Sequence, residues 1–124
     1  MIYDSFEDLD AWKLSRELKI EISELVKSFP KEEDYKLKDQ LIRCTRSITA
    51  NIAEGYGRFH FNDNIKFCIQ ARGSLIETLD HLITANDEKY IDNEKLIYFR
   101  QKIKINEKVL NGYISYLRKR KSDE

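Results

Sequence analysis

The chain has 124 residues, 35% of them charged, with 22 basic and 22 acidic side chains and a formal net charge of zero. That length suits one domain able to bury most of what its unfolded chain exposes, and a single proline and four glycines leave little to interrupt helix. No apolar run approaches the roughly 20 residues that a membrane-spanning helix needs. The opening "MIYDSFEDLDAW" lacks the basic, apolar and small-residue order of a secretory signal, so a cytoplasmic protein without membrane contact is expected.

The first segment, residues 6–29, places Leu9, Trp12, Leu18, Ile22, Leu25 and Phe29 at three- and four-residue steps, the repeat of an amphipathic helix. Ser5 is a candidate N-cap, with Asp8 three places on resembling a capping box with the shorter acid. Pro30 closes the segment, because it disfavours helical geometry in Phe29.

A second helix is expected over 33–54, with Leu37, Leu41, Cys44, Ile48 and Ile52 on one stripe, ending at Gly55. A third starts near 63 with Asn62 as its cap and carries Ile65, Cys68 or Ile69, Arg72, Leu75, Leu79 and Leu82. It fades in the polar "ANDEKYID". Asp92 or Asn93 opens the fourth, with Leu96, Phe99, Ile103, Leu110, Tyr113 or Ile114, and Leu117 facing inward. No alternating strand pattern competes. Four helices with short connections predict an all-α, antiparallel up-down-up-down four-helix bundle spanning residues 1–120, with a frayed tail at 121–124.

The stretch "SITANIAEGYGR" (47–58) holds two of the four glycines. A phosphate-cradling loop needs its glycines before a helix, where backbone amides point at the anion. Here they follow one. Gly55 is expected as a left-handed C-cap and Gly57 in the reversal after it.

Chemistry-bearing residues are sparse. His60 and His81 are the only histidines, and Glu77 stands four residues before His81 rather than the three of a Glu-x-x-His di-metal motif. His81 is therefore expected at the surface or an interface, and no metal or other cofactor is expected. Ser47, Ser74, Cys44 and Cys68 have no histidine and carboxylate at recognisable spacing, so no catalytic residue and no enzyme activity are expected. The two cysteines lie in apolar stripes, form no C-x-x-C pair, and read as small core residues rather than a disulfide.

Arg72 falls on the inner stripe of the third helix, where an unpaired charge is costly. A pair with Glu54 is the preferred expectation, Glu77 is the other acid in reach, and the alternative is that Arg72 extends to the surface. The small pair Gly73 and Ser74 leaves room for another backbone, inside the bundle or across a subunit contact.

Taken together, "SITANIAEGYGR", "ARGSLIET", "FPKEEDYKLKDQLIR" and the opening "DLDAWKLSREL" resemble the 23S rRNA-intervening-sequence proteins, small bacterial four-helix bundles. The resemblance covers nearly the whole chain. It implies a homo-oligomer, a pentameric ring of bundles, and kinship with the accessory variability protein of diversity-generating retroelements, which binds nucleic acid. It implies no catalytic activity. The family's motif residues fall on Asn51, Glu54, Gly55 and Gly57, followed by Arg58, and on Arg72, Gly73 and Ser74, with an architectural role.

Charge comes in blocks. Residues 1–34 carry five positive and ten negative charges, 35–75 seven and three, 76–94 one and six, and 95–120 eight and one. A zero total therefore does not exclude a polyanion partner. Arg43 and Arg46 lie one helical turn apart, Arg100, Lys104 and Lys108 follow at four-residue steps, and Arg58 interleaves with aromatics in "GRFHF". These six cations are the expected contacts to RNA or other nucleic-acid phosphates. A scaffold for a protein partner is the alternative function.

Overall fold

The computed structural model describes residues 3–123, and it contains four helices and no strand among them. The helices are α1 (Asp10–Leu25), α2 (Leu37–Tyr56), α3 (Phe61–Asp87) and α4 (Asn93–Ser122). Each packs on its two neighbours, α1 on α2 and α4, α3 on α2 and α4. Helices α2 and α4 lie across the diagonal of this antiparallel bundle.

The expected stripes are the core. Leu18, Ile22, Leu41, Ile48, Ile52, Cys68, Leu75, Leu82, Ile103, Leu110 and Ile114 are almost wholly buried. Two open alternatives resolve toward Cys68 and Ile114; Ile69 is exposed and Tyr113 only partly buried.

Several boundaries differ from expectation. The first segment is not one helix, because Leu9 adopts an extended backbone (ψ 126°) and drops its side chain into the core. The Ser5–Asp8 box caps a short 3-10 turn, Phe6–Asp8: Glu7 N donates to Ser5 Oγ at 3.2 Å, and Ser5 N to Asp8 Oδ2 at 3.2 Å. A second 3-10 turn, Val26–Ser28, precedes Phe29, and Pro30 introduces a third, Lys31–Glu33. Helix α2 accordingly starts at Leu37 rather than 33.

Helix α3 starts at Phe61, so Asn62 lies inside its first turn and His60 takes the cap position without a side-chain hydrogen bond. Asp92 does cap α4, accepting from Lys95 N at 2.8 Å. Helix α4 runs through Lys121 to Ser122, while Met1, Ile2 and Glu124 lie outside the described residues.

No glycine has positive φ; Lys89 does, at 64°. There Lys89 N donates to Asn86 O at 3.0 Å and Tyr90 N to Ala85 O at 2.9 Å, the paired bonds of a Schellman ending to α3. Gly55 is instead buried inside α2, and Gly57 caps that helix with ordinary φ (−75°). Gly55 keeps its hydrogen because α3 crosses too close for a side chain. A Cβ there would stand 2.7 Å from Asn64 Oδ1 and 3.0 Å from both Asn64 O and Phe67 Cβ.

Candidate nucleic-acid interface

The six cations expected to meet phosphate occupy three separate places. Arg43 and Arg46 are exposed on α2, Arg58 lies in the α2–α3 connection, and Arg100, Lys104 and Lys108 are exposed on α4. Since α2 and α4 are diagonal, their cations do not share a face.

Ion pairing separates them further. Arg43 Nε sits 2.8 Å from Asp39 Oδ2, and Arg58 Nη2 sits 3.1 Å from Glu54 Oε1. Arg58 also lies over the Phe67 ring at 4.8 Å, so it folds back on the protein. By contrast, Arg46, Arg100, Lys104 and Lys108 make no ion pair among the described residues.

The α4 row is longer than its three members. Continuing at three- and four-residue steps, it passes Asn111 and Ser115 to Arg118, all exposed. At about 1.5 Å per residue the run from Arg100 to Arg118 is about 27 Å long. Glu107 is the one acid within those residues, and it is half-buried. Sequence spacing alone does not reach Arg118, because the run of cations at four-residue steps is broken by two uncharged residues after Lys108.

Aromatic residues of "GRFHF" divide by position. Phe61 packs against the core under Arg120, whose guanidinium carbon lies 5.9 Å from the ring centroid. Phe59 is 93% exposed, touched edge-on by His60 at 5.0 Å. Phe59 alone of the two presents an open ring face.

The motif residues tie α2 to α3. Asn51 Nδ2 donates to Ser47 O (2.8 Å) and Ser47 Oγ (2.9 Å), and Ser74 Oγ donates to Ser47 Oγ at 3.0 Å. Gly73 faces open space, with nothing within 4 Å of where a Cβ would stand, so no backbone of the same bundle approaches it. The expected Arg72–Glu54 pair does not form. Glu54 is held by Arg58, one turn away on its own chain, and Arg72 reaches outward to donate to Asn111 Oδ1 on α4 at 2.8 Å.

On the opposite seam, Glu21 of α1 accepts from the Tyr98 hydroxyl and pairs with Lys102 Nζ at 2.6 Å, both on α4. Burial pushes the Glu21 carboxyl up, but the bonds from Lys102 and Tyr98 outweigh it and hold the group below its ordinary value. The hydrogen bond to Glu21 in turn raises Lys102.

The family model described as 23S rRNA-intervening sequence protein matches residues 7–112. The chain belongs to that family. Among solved structures, a protein with unknown function from the S23 ribosomal protein family of Bacteroides thetaiotaomicron superposes with a TM-score of 0.78 at 24% identity, covering 85% of this chain and 95% of that one. That likeness establishes the shared bundle. No curated protein matches the chain significantly. Among the described residues no helix is long and apolar enough to cross a membrane.

Proposed function

We propose that this 23S rRNA-intervening sequence protein is a non-enzymatic, cytoplasmic homo-oligomer that binds structured RNA through its phosphates. The observation that carries the reading is the α4 stripe, where Arg100, Lys104, Lys108 and Arg118 stand exposed and make no ion pair among the described residues. A lysine held by a carboxylate must give up that partner to meet phosphate, whereas an unpaired one gives up only water and small counterions. Contacts of this kind set orientation and affinity with little base selectivity. In the pentamer implied by the resemblance, each cation would recur once per subunit and the field would grow accordingly. Arg46 and Phe59 are secondary contacts in this reading; Arg43 and Arg58 are satisfied within the chain.

The test is a fluorescence-anisotropy titration of a labelled RNA hairpin with the wild type and with Arg100→Glu/Lys104→Glu. The reading expects the variant to lose at least about tenfold in affinity, since each well-placed contact contributes about 1 kcal/mol or more. Equal affinity for both proteins contradicts it.

A protein-interaction scaffold is the second reading. It is favoured by Ile97 (54% exposed) and Ile105 (56%), which border the same cations on α4. A protein partner seated there would cover apolar and basic side chains together.

A further inference from the structure

We infer that Cys44, Glu77 and His81 form a binding site for a zinc-like divalent cation between α2 and α3. The three offer one ligand atom each, and these atoms lie within 4.8 Å of one another. Cys44 comes from the inner face of α2. Glu77 and His81 come from successive turns of α3, at the four-residue spacing that stacks side chains on one helix face.

The donor set has the right chemistry. Zinc takes thiolate sulfur, imidazole nitrogen and carboxylate oxygen in tetrahedral array, and a site with three protein ligands leaves the fourth position to water. Bond lengths of about 2.0–2.3 Å place tetrahedral ligands about 3.3–3.8 Å apart. His81 Nε2 and Glu77 Oε2 are already 3.1 Å apart. Bringing in Cys44 Sγ from the 4.8 Å outer limit of that cluster requires an adjustment of about 1 Å.

The surroundings support the same assignment. The ring nitrogen not directed at Glu77, His81 Nδ1, has the Asp80 carboxylate in its neighbourhood, with Oδ2 4.0 Å away and beyond direct hydrogen-bond reach. Glu77 makes no ion pair with a lysine or arginine among the described residues. Cys44 Sγ lies 3.1 Å from Thr78 Oγ1, whose own proton is donated to Ser74 O at 2.9 Å, so the thiol is the donor in this contact and a bound cation would displace that proton. Glu77 is half exposed, with 58% of its side chain accessible, which opens the fourth position to solvent. Burial pushes both thiols above their ordinary value, Cys68 to about 12, but Cys68 has no such company: it contacts Asn64.

Cobalt is the probe, because Co²⁺ reports on thiolate and tetrahedral geometry by absorption. Full-length protein stripped with chelator and titrated with Co²⁺ should bind one equivalent, with a thiolate-to-cobalt charge-transfer band and intense visible bands that zinc then abolishes. Cys44→Ser and His81→Gln should each remove the charge-transfer spectrum, while Cys68→Ser should keep it. Only 14% of the His81 side chain is accessible, so circular dichroism must first register the wild-type helix content for His81→Gln. In that folded variant, added zinc should no longer give the rise in thermal midpoint expected of the wild type. Absence of the band in wild-type protein overturns the assignment, and so does its persistence in Cys44→Ser or His81→Gln.

Discussion

Gly55 and Asn64 meet at a tight crossing of α2 and α3, with the position of a Gly55 Cβ only 2.7 Å from the Asn64 amide oxygen. Asn64 is itself fixed, because its Nδ2 donates to the Tyr113 hydroxyl at 3.1 Å and its Oδ1 accepts from Cys68 Sγ at 3.5 Å. It cannot swing away without leaving buried polar groups unpaired. Gly55→Ala gains about 1 kcal/mol of helix propensity, but forcing a methyl into this crossing costs about 1–3 kcal/mol. Urea denaturation should show a net loss of stability. An unchanged or raised midpoint would mean that the crossing yields more easily than its contacts indicate.

Gly73 and Gly112 pose the opposite case. Both lie inside helices, and neither would bring a Cβ within 4 Å of any atom of the bundle. On the isolated bundle, Gly73→Ala and Gly112→Ala should each stabilise by about 0.5–1 kcal/mol. Gly73 sits between the exposed Ile69 and Ile76 on the outer side of α3, where the proposed oligomer would make a subunit contact. Light scattering therefore adds a second readout. Gly73→Ala should weaken assembly while Gly112→Ala leaves it intact, and equal behaviour of the two variants would remove α3 from the contact.

The Glu21–Lys102 pair makes stability depend on pH at both extremes. Glu21 is held below its ordinary 4.5, so its contribution is present above pH 4.5 and fades as pH falls through the lower folded value. Lys102 is held above its ordinary 10.5, so its contribution is present below pH 10.5 and fades as pH rises through the higher folded value. Chemical denaturation as a function of pH should show a shallower acid-side decline in Glu21→Gln than in the wild type. Parallel acid-side curves would show that the pair contributes nothing.

How much of this was legible in the sequence depends on whether a feature is local. Helical periodicity is local, so the four stripes and the core residues on them could be read directly. The Asp92 cap could be read too, since a capping carboxylate acts within three residues. Boundaries were less legible because tertiary burial decides them. Leu9 breaks the first helix to reach the core, and α3 ends on Lys89 in a conformation where glycine would be expected. Pairings across helices were least legible. Glu54 had a partner one turn away in Arg58, which spacing allowed but did not favour over Arg72. Cys44, Glu77 and His81 belong to two helices, and only the phase between α2 and α3 brings them together.

The salt dependence of RNA binding tests the central claim most directly. Affinity of the wild type for a labelled RNA hairpin should fall steeply as salt rises, because each phosphate contact releases condensed counterions and adds about 0.7–0.9 to the log–log slope. Replacing Arg100 and Lys104 with alanine should lower that slope by about 1.4–1.8. A flat salt response, or no binding even at low salt, would contradict the account and leave the α4 cations as a solvated face.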